Sequence, residues 1–307
     1  MSWRACGHRG GSRSESRGGT HYHECFARDF VPSALVFMPD GRTDIVGNFL
    51  TMVIKLHGLQ SVPEGRHRSM GLMPASFRVG DEKAGAPLIA DFGERAIGRV
   101  IPVDSALWWL YLLWTYVITF DDWELMADHE IQQCIRQIRE LYLRESFESA
   151  PSLLVTDGSS MIDQRMGVHG YPLEIQALYD GALLSARELL ARVLGRANLL
   201  KNLDIRIEAL RSHVRVRYWV DRDRLNEIHR FKSEEFGLEA TNVLNVYPES
   251  IPDWMDGWLD ADCGYLVGNQ EPGKGDFRFF AQGNLLSILF DLATAEESKK
   301  VMHLYQL

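Results

Sequence analysis

The chain has 307 residues, of which 46% are hydrophobic, and a formal net charge of −9. This length allows one large domain or two ordinary ones, and the acidic balance argues against nucleic acids and anionic membranes as partners, because phosphate binding depends on clustered Lys and Arg. The cysteines Cys6, Cys25, Cys134 and Cys263 form no CxxC pair, so neither a disulfide framework nor a zinc ribbon is indicated and a cytoplasmic location is expected.

The N-terminal region begins with a segment that is poor in apolar residues. Residues 1–20 are rich in Arg, Gly and Ser, so we predict a disordered leader. From Tyr22 to Met38 the pattern predicts a helix that Pro32 kinks or divides. A second helix is predicted to begin at Thr43, as its cap, and to end at Gly58.

The most apolar run of the chain lies from Ala106 to Ile118. It is shorter than the roughly 20 residues that a membrane-spanning helix needs, so it predicts a core helix. Asp104 and Ser105 are candidate caps for this helix. From Trp123 onward, apolar residues at helical spacing predict an amphipathic helix.

Further helices are predicted in the second half of the chain. Tyr171 to Leu194 carries Pro172 at a position suited to a first helical turn. Ile205 to Trp219 and Asn284 to Leu292 follow, and Thr294 to Glu297 reads as a capping box. Strand patterns are weak, so the chain is expected to be mostly α. Successive helices joined by long loops favour a helical toroid with a pocket at one end.

Several loops combine carboxylates, arginine, glycine and aromatic residues. They are Asp91–Arg95, Asp157–Arg165, Glu234–Glu235 and Asp276–Arg278. Sugar pockets need charged groups that hold hydroxyls and aromatic faces that cover the C–H surface of the ring. For any one segment a loop salt bridge or a helix cap is the simpler interpretation, but their recurrence indicates polyol binding.

A series of longer motifs follows one order along the chain. These motifs are Cys25–Leu35, Gly71–Phe77, Ala90–Glu94, Ile97–Val100, Pro102–Ser105, Asp157–Gly167, Tyr171–Ala177, Phe231–Glu235, Ser250–Trp254, Gly264–Asn269, Asp276–Ala281 and Gly283–Asn284. Together they resemble the alkaline/neutral invertases, glycoside hydrolase family 100. The resemblance extends from about His21 to Leu307.

The resemblance implies a fold and a reaction. The fold is an (α/α)6 barrel, a toroid of helices, here a single domain over residues 21–307. The reaction is hydrolysis of sucrose to glucose and fructose with inversion, without a metal or organic cofactor. One carboxylic acid protonates the leaving oxygen while a carboxylate roughly 6.5 to 9.5 Å away deprotonates water. Family members carry that base in a later Trp-Pro-Glu-Tyr-Tyr segment, so we expect this chain to lack it and the barrel to be incomplete at the C-terminus.

The resemblance assigns the general acid to Asp163. Apolar neighbours in sequence, such as Met161 and Met166, would desolvate this carboxyl and raise its pKa. Arg165 would lower that pKa, and an ion pair between Asp163 and Arg165 is the structural alternative. Asp157 is the second candidate for the acid, although an Asp-Gly turn explains it better.

The family motifs also supply candidate substrate contacts. These are Arg28, Asp29, Asp91, Glu94, Arg99, Asp104, Trp109, Asp157, Glu235, Asp276 and Arg278. For Trp108 and Trp109, core packing is the stronger interpretation in so apolar a helix. Glu94 and Arg95 are also consistent with a local ion pair. Arg278 either positions a sugar hydroxyl or neutralises its neighbouring carboxylate.

Two departures from the family pattern lie near the site. His21-Tyr22-His23 stands where the family usually has Asn-Tyr-Asp, and Gln164-Arg165 replaces the usual Arg-Arg. His21, His23 and Cys25 resemble metal ligands, but alternate residues on a helix do not share a face, so no metal site is predicted.

Competing hypotheses remain beside sucrose hydrolysis. The expected absence of the base favours a catalytically inactive α-helical protein that binds sugar or serves as an interaction module. Hydrolysis of another glucoside such as trehalose is a third option, because the same barrel hosts it. Uncovered apolar faces of an incomplete barrel would favour association, so a homo-oligomer is one expected state.

Overall fold

A computed structural model describes residues 24–56, 71–80, 87–93, 102–143, 151–155, 161–163, 166–194, 197–233, 244, 246–271 and 274–306. The helices are α1 Ala27–Phe37, α2 Thr43–Leu56, α3 Asp104–Phe120, α4 Trp123–Ala127, α5 His129–Tyr142, α6 Leu173–Leu194, α7 Ala197–Tyr218, α8 Arg222–Ser233, α9 Trp254–Trp258, α10 Ala281–Leu289 and α11 Ala295–Leu304. The strands are β1 Cys25–Phe26, β2 Ser76–Val79, β3 Leu88–Asp91, β4 Met161–Asp163, β5 Met166–Gly167, β6 Tyr171–Pro172, β7 Trp219–Asp221, β8 Gly264–Leu266, β9 Asn269–Glu271 and β10 Lys274–Asp276. The prediction of a mostly helical chain is confirmed.

The chain forms two compact units, Met1–Leu141 and Tyr142–Leu307. The prediction of a single domain over residues 21–307 stays a prediction. Among the helices that the structure describes, none has both the length and the apolarity that crossing a membrane requires.

Helices α1, α2 and α3 pack together in the first unit. The Phe30 ring stacks on Phe49 with their centroids 4.1 Å apart, which joins α1 to α2. The Trp109 indole Nε1 donates to the Leu50 carbonyl oxygen at 3.2 Å, which joins α3 to α2. Trp109 is 1% exposed. The interpretation of Ala106 to Ile118 as a core helix, with these tryptophans packed inside, is confirmed.

Strand and cap positions in the first unit differ from the prediction. The expected helix from Tyr22 is wrong at Cys25–Phe26, which pairs with β2, and Pro32 lies inside the single helix α1 rather than dividing it. Asp104 is the first residue of α3 rather than its cap. Its carboxylate accepts from Arg28 instead, so pairing with a cation outweighs local capping.

The predicted helix from Trp123 is interrupted at one residue. Asp128 lies between α4 and α5 with an extended backbone. Its Oδ1 accepts from the backbone N–H groups of Glu130 and Ile131 at 2.7 and 3.3 Å. Asp128 therefore caps α5, because aspartate satisfies the free amides of a first turn.

In the second unit, α6 packs against α7 and α10. The Asp180 carboxylate of α6 accepts two hydrogen bonds from Arg211 Nε and one from its Nη2, at 2.9 to 3.1 Å. Nη2 of the same guanidinium donates to the Phe290 carbonyl oxygen at 2.7 Å, just after α10. This buried ion pair joins α6 to α7, and Arg211 extends the contact to the end of α10.

Two side-chain amides of the second unit form hydrogen bonds with nearby backbone groups. Gln176 exchanges two hydrogen bonds with the backbone of Leu153, both at 2.8 Å. Asn284 of α10 does the same with Leu266 of β8, both at 2.9 Å. Both amides are buried, so they satisfy polar backbone groups that water does not reach.

Element ends in the second unit also differ from the prediction. Pro172 belongs to strand β6 rather than to the first turn of α6. Trp219 belongs to β7, and α7 begins earlier than predicted, at Ala197. The predicted helix from Asn284 begins earlier, at Ala281, and ends at Leu289. The capping box of Thr294 and Glu297 is confirmed.

Candidate functional site

In the first unit the candidate contacts gather at the start of α1 and α3. Arg28 Nη1 donates to Asp104 Oδ2 at 2.8 Å, and Arg28 Nε lies 3.6 Å from Asp29 Oδ1. We call Arg28, Asp29 and Asp104 the Arg28 cluster. Asp104 is 3% exposed whereas Asp29 is exposed, so the cluster runs from the interior to the surface.

Charge and burial oppose each other in the Arg28 cluster. Burial lowers the pKa of the Arg28 guanidinium, but attraction and hydrogen bonding to Asp104 and Asp29 together outweigh burial, so the net pKa is raised. Asp104 Oδ1 is buried and has no hydrogen-bond partner within the described part of the chain. A buried carboxylate oxygen without a partner is costly, so this atom can accept from a further donor.

Asp91 lies in the same sheet as β1, the strand that precedes Arg28. Phe26, Ser76 and Asp91 lie side by side in neighbouring strands, so Asp91 is about 10 Å from Phe26 by strand spacing. Arg28 follows two residues after Phe26. Asp91 Oδ1 accepts from the Gly93 N–H at 3.0 Å, and Gly93 has the positive φ of 97° that glycine adopts most readily. Asp91 therefore orders the turn after β3.

The second unit contains a cleft with a volume of about 330 Å³, at the small end of the range for ligand pockets. Its lining residues are Pro252, Trp254, Asn269, Glu271, Gly275, Asp276, Phe277 and Arg278. The lining thus combines carboxylates, a guanidinium, an amide and aromatic rings. We call it the Asp276 cleft.

Asp276 and Arg278 form a close ion pair in this cleft. Arg278 Nε donates to both Asp276 oxygens at 2.8 and 3.0 Å, and Nη2 donates to Oδ2. The guanidinium carbon lies 5.4 Å from the centroid of the Phe280 ring. Hydrogen bonding to Asp276 raises the pKa of Arg278. The interpretation that Arg278 neutralises Asp276 is confirmed, while a contact with sugar stays a prediction.

The other walls of the cleft are linked to the segment before β6. Asn269 Nδ2 donates to the His169 carbonyl oxygen at 2.6 Å, and His169 Nδ1 lies 3.6 Å from Glu271 Oε1. Within the described residues, the buried Oδ1 of Asn269 has no hydrogen-bond partner. Trp254 is 46% exposed, and its ring packs edge to face with Trp258 at a centroid distance of 5.4 Å, so the exposed part of the indole beside the cleft is open to a ligand.

Asp163 lies six residues before His169, whose carbonyl oxygen contacts the cleft wall. Asp163 ends β4 and pairs with Met166 of β5. His169, which touches the cleft wall, follows Met166 by three residues. With 3.8 Å between consecutive Cα atoms and about 5.5 Å across a strand pair, the Cα atoms of Asp163 and His169 are at most about 17 Å apart.

The remaining predicted contacts fall into two groups. Glu94, Arg99, Asp157 and Glu235 lie outside the described residues. Trp109 is buried in the first unit, and its role as a substrate contact stays a prediction. The sequence motifs contained Trp254 and Asn269 without assigning them a role, and neither Glu271 nor His169 stood in a motif.

The exclusion of an N-terminal metal site rested on a helical backbone. Cys25 lies in strand β1 instead, and alternate residues of a strand do share a face. His21 and His23 lie outside the described residues, so that exclusion stays a prediction.

Comparison with known proteins gives a consistent result. A family model described as "Alkaline and neutral invertase" matches residues 10–307. The chain is 44% identical over 294 residues to "Probable alkaline/neutral invertase A, chloroplastic" of Arabidopsis thaliana, covering 94% of this chain and 46% of that relative. It is also 44% identical over 293 residues to "Neutral/alkaline invertase 1, mitochondrial" of Oryza sativa subsp. japonica, covering 93% and 47%.

A third relative, "Cytosolic invertase 1" of Oryza sativa subsp. japonica, is 44% identical over 288 residues, covering 93% of this chain and 51% of the relative. The chain therefore spans about half the length of the curated relatives it matches. Their names include chloroplastic, mitochondrial and cytosolic forms, so a cytoplasmic location stays a prediction.

Proposed function

The chain belongs to the alkaline and neutral invertase family, and on that premise we propose that it carries the sucrose-binding and acid-donating part of a sucrose hydrolase. The family match over residues 10–307 is the observation that carries this proposal. The reaction releases glucose and fructose with inversion at the glucosyl carbon. The helices of both units are proposed to belong to an (α/α)6 toroid, which the mostly helical fold supports.

Asp163 is the proposed general acid. Its protonated carboxyl donates to the glycosidic oxygen while the bond to the glucosyl carbon breaks. A water molecule attacks the opposite face of that carbon and gives its proton to the general base, the carboxylate that family members carry in their Trp-Pro-Glu-Tyr-Tyr segment. Such an acid must stay protonated near neutral pH, which apolar surroundings favour. The neighbouring Met161 and Met166 in the sequence are suited to provide them.

The Asp276 cleft is the proposed place for part of the sugar. The Asp276 and Arg278 pair offers acceptors and donors at fixed positions, and such charge-assisted bonds to hydroxyls are strong. The exposed indole of Trp254 can cover the C–H face of a pyranose or furanose ring. The continuity of the chain from Asp163 to the cleft wall at His169 supports placing the acid and the cleft in one site.

The Arg28 cluster is a second proposed contact region. Asp104 Oδ1 lacks a described partner and can accept from a sugar hydroxyl, while Arg28 holds the neighbouring oxygen of that carboxylate. Asp29 and Asp91 are proposed as further contacts with the sugar. Glu94, Arg99, Asp157 and Glu235 are proposed as contacts from the family motifs.

Hydrolysis by the chain joined to the Trp-Pro-Glu-Tyr-Tyr segment of a relative tests the proposed reaction. Incubation of this fusion with sucrose should release equal amounts of glucose and fructose, and NMR should detect β-glucose as the first anomer, because inversion acts on an α-glucoside. Asp163→Asn in the fusion should reduce kcat by at least about 100-fold, since general acids contribute about that much or more. Asp40→Asn, in an exposed turn, is the matched control and should retain activity. Sucrose binding without turnover by the fusion would instead support a sugar-binding protein.

A substitution in the cleft tests the place of the sugar. Trp254→Ala should raise KM for sucrose about 2- to 10-fold with a smaller effect on kcat, because an aromatic face contributes about 0.5 to 1.5 kcal/mol. Tyr247→Ala is the control, since Tyr247 is 70% exposed and does not line the cleft. Equal kinetics in both variants would contradict the assignment of the cleft.

A further inference from the structure

Three side chains outside the lining of the Asp276 cleft carry different kinds of metal ligand. The carboxylate of Asp260, the thiol of Cys263 and the imidazole of His303 have ligand atoms that all lie within 4.8 Å of one another. A thiolate, an imidazole and a carboxylate are each ligands that zinc accepts in proteins. We propose that Asp260, Cys263 and His303 form a binding site for a divalent cation of the Zn²⁺ type, separate from the proposed sugar chemistry.

The turn that carries two of these ligands is ordered by its own backbone. Asp260 and Cys263 lie between α9 and β8, and the Asp262 N–H donates to Asp260 Oδ1 at 2.9 Å. The Cys263 N–H faces the Asp260 carbonyl oxygen at 3.4 Å. Cys263 is fully buried at the start of β8, so the thiol is held in place without the ion.

The third ligand, His303, lies in α11, and hydrogen bonds hold the chain before and after this residue. Lys300 Nζ donates to Asp221 Oδ2 at 3.2 Å, and the Tyr305 hydroxyl donates to the Ala281 carbonyl oxygen at 3.0 Å. His303 lies between these two anchors in the last turn of α11. Its position relative to the turn is therefore set by contacts that do not depend on the cluster.

The spacing of the ligand atoms fits a tetrahedral ion after a small adjustment. Zn–S near 2.3 Å and Zn–N or Zn–O near 2.0 to 2.2 Å place ligand atoms about 3.4 to 3.6 Å apart. The cluster must then contract by roughly 1 Å. Asp260 is exposed and His303 is half-buried, so rotation of these side chains supplies the adjustment. Water would complete the fourth position.

The charges of the cluster also suit a divalent cation. A thiolate and a carboxylate together neutralise Zn²⁺, and a neutral imidazole adds no charge. In the structure the Cys263 thiol donates a hydrogen bond to the Asp260 carboxylate, so an ion that binds both groups must displace this proton.

Titration of the whole chain with Co²⁺, a spectroscopic substitute for Zn²⁺, tests the proposal. After dialysis against a chelator, the chain should bind one Co²⁺ with a thiolate charge-transfer band and the visible bands of tetrahedral cobalt, and Zn²⁺ should displace it. Cys263→Ser should abolish the thiolate band. His303→Gln and Asp260→Asn should each weaken binding at least about 10-fold, given that even indirect ligand contacts are worth that much.

Matched variants keep the outcome unambiguous. Cys134→Ser, at another buried cysteine, and His21→Gln with His23→Gln should leave the band unchanged. The absence of a thiolate band in the wild-type chain, or binding unaffected by both His303→Gln and Asp260→Asn, would overturn the site. These two substitutions lie at exposed or half-buried positions, so they remain informative if Cys263→Ser does not fold. Sucrose turnover plays no part in the readout.

Discussion

At the scale of single residues, Asp104 of the first unit is a buried residue with a charged side chain. Its carboxylate is buried, and Arg28, which faces Oδ2, is itself one-third exposed in its side chain. A buried charge needs a partner, and removing one member of such a pair leaves the other uncompensated. The second oxygen has no described partner, so part of the desolvation cost of this carboxylate stays uncompensated. A ligand that donates a hydrogen bond to Asp104 Oδ1 would compensate this cost.

Asp104→Ala should lower the free energy of unfolding by about 2 kcal/mol. The value lies below the 3 to 5 kcal/mol of a fully buried pair, because water reaches part of Arg28 and screens its charge. Chemical denaturation measures the change. Asp44→Ala is the matched control, since Asp44 lies 3.5 Å from Arg42 with both side chains mostly exposed and should cost less than about 1 kcal/mol. Equal losses of unfolding free energy in Asp104→Ala and Asp44→Ala would mean that burial does not strengthen the pair of Arg28 and Asp104.

The candidate site could be predicted only where its residues lie together in the sequence. Asp276 and Arg278 are two positions apart in one motif, and their pairing was among the predicted alternatives. Glu271 and His169 are about 100 positions apart and meet through the pairing of β6 with β9. Short strands without alternating apolar residues give no sequence signal for that register, which explains why this wall of the cleft was not predicted.

At the scale of elements, apolar patterns predicted helix interiors, whereas several helix ends were predicted wrongly. The continuous apolar run from Ala106 to Ile118 predicted the interior of α3, and the predicted end at Leu194 is the end of α6. Pro172 was predicted in a first helical turn, to which proline is suited, and Trp219 as the last residue of a helix, yet each pairs with a strand of the second unit. Backbone pairing between distant segments outweighs local preference there, and sequence spacing carries no information about it.

The Phe290 ring, just after α10, leaves no room for a side chain at Gly181 of α6. A Cβ atom at this position would lie 2.5 to 2.7 Å from three atoms of the Phe290 ring. Gly181→Ala should therefore lower the free energy of unfolding by about 1 to 3 kcal/mol through overpacking, although alanine favours the helix itself.

Thermal or chemical denaturation measures this effect against a second glycine. A Cβ atom at Gly257 of α9 would meet no other atom within 4 Å, and this glycine is exposed. Gly257→Ala should be neutral or stabilising by up to about 1 kcal/mol, because only the helix preference changes. If Gly181→Ala were equally harmless, the close contact of α6 with Phe290 would not limit packing.

At the scale of the whole molecule, both units combine aromatic packing with buried polar groups. In the first unit, Phe30 stacks on Phe49, and the buried Asp104 pairs with Arg28. In the second unit, the rings of Trp258, Tyr265 and Phe279 pack edge to face. The buried Gln176 and Asn284 of this unit bond to backbone, and Asp180 pairs with Arg211. Composition predicted a large core for the whole chain, but it could not predict these pairs, because the partners come from distant segments.

A histidine in the second unit makes the stability of the molecule depend on pH. Burial, and secondly the charge of Arg217, lower the pKa of His213 below its ordinary value of 6.5. The unfolded chain then binds a proton at higher pH than the folded chain does. The contribution of neutral His213 is therefore complete above about pH 6.5 and is lost as pH falls through that value toward the folded pKa.

Denaturation at several pH values tests this direction of the change in stability with pH. The free energy of unfolding of the wild-type chain should fall from pH 7.5 to pH 5.5 more steeply than that of His213→Gln, which keeps a polar side chain but does not titrate in this range. The difference between the two curves isolates His213 from the carboxylates, which are common to both proteins. His129→Gln, at an exposed position on α5, should follow the wild-type curve. A steeper fall in His213→Gln than in the wild type would mean that the folded state favours the charged imidazole, against the burial seen in α7.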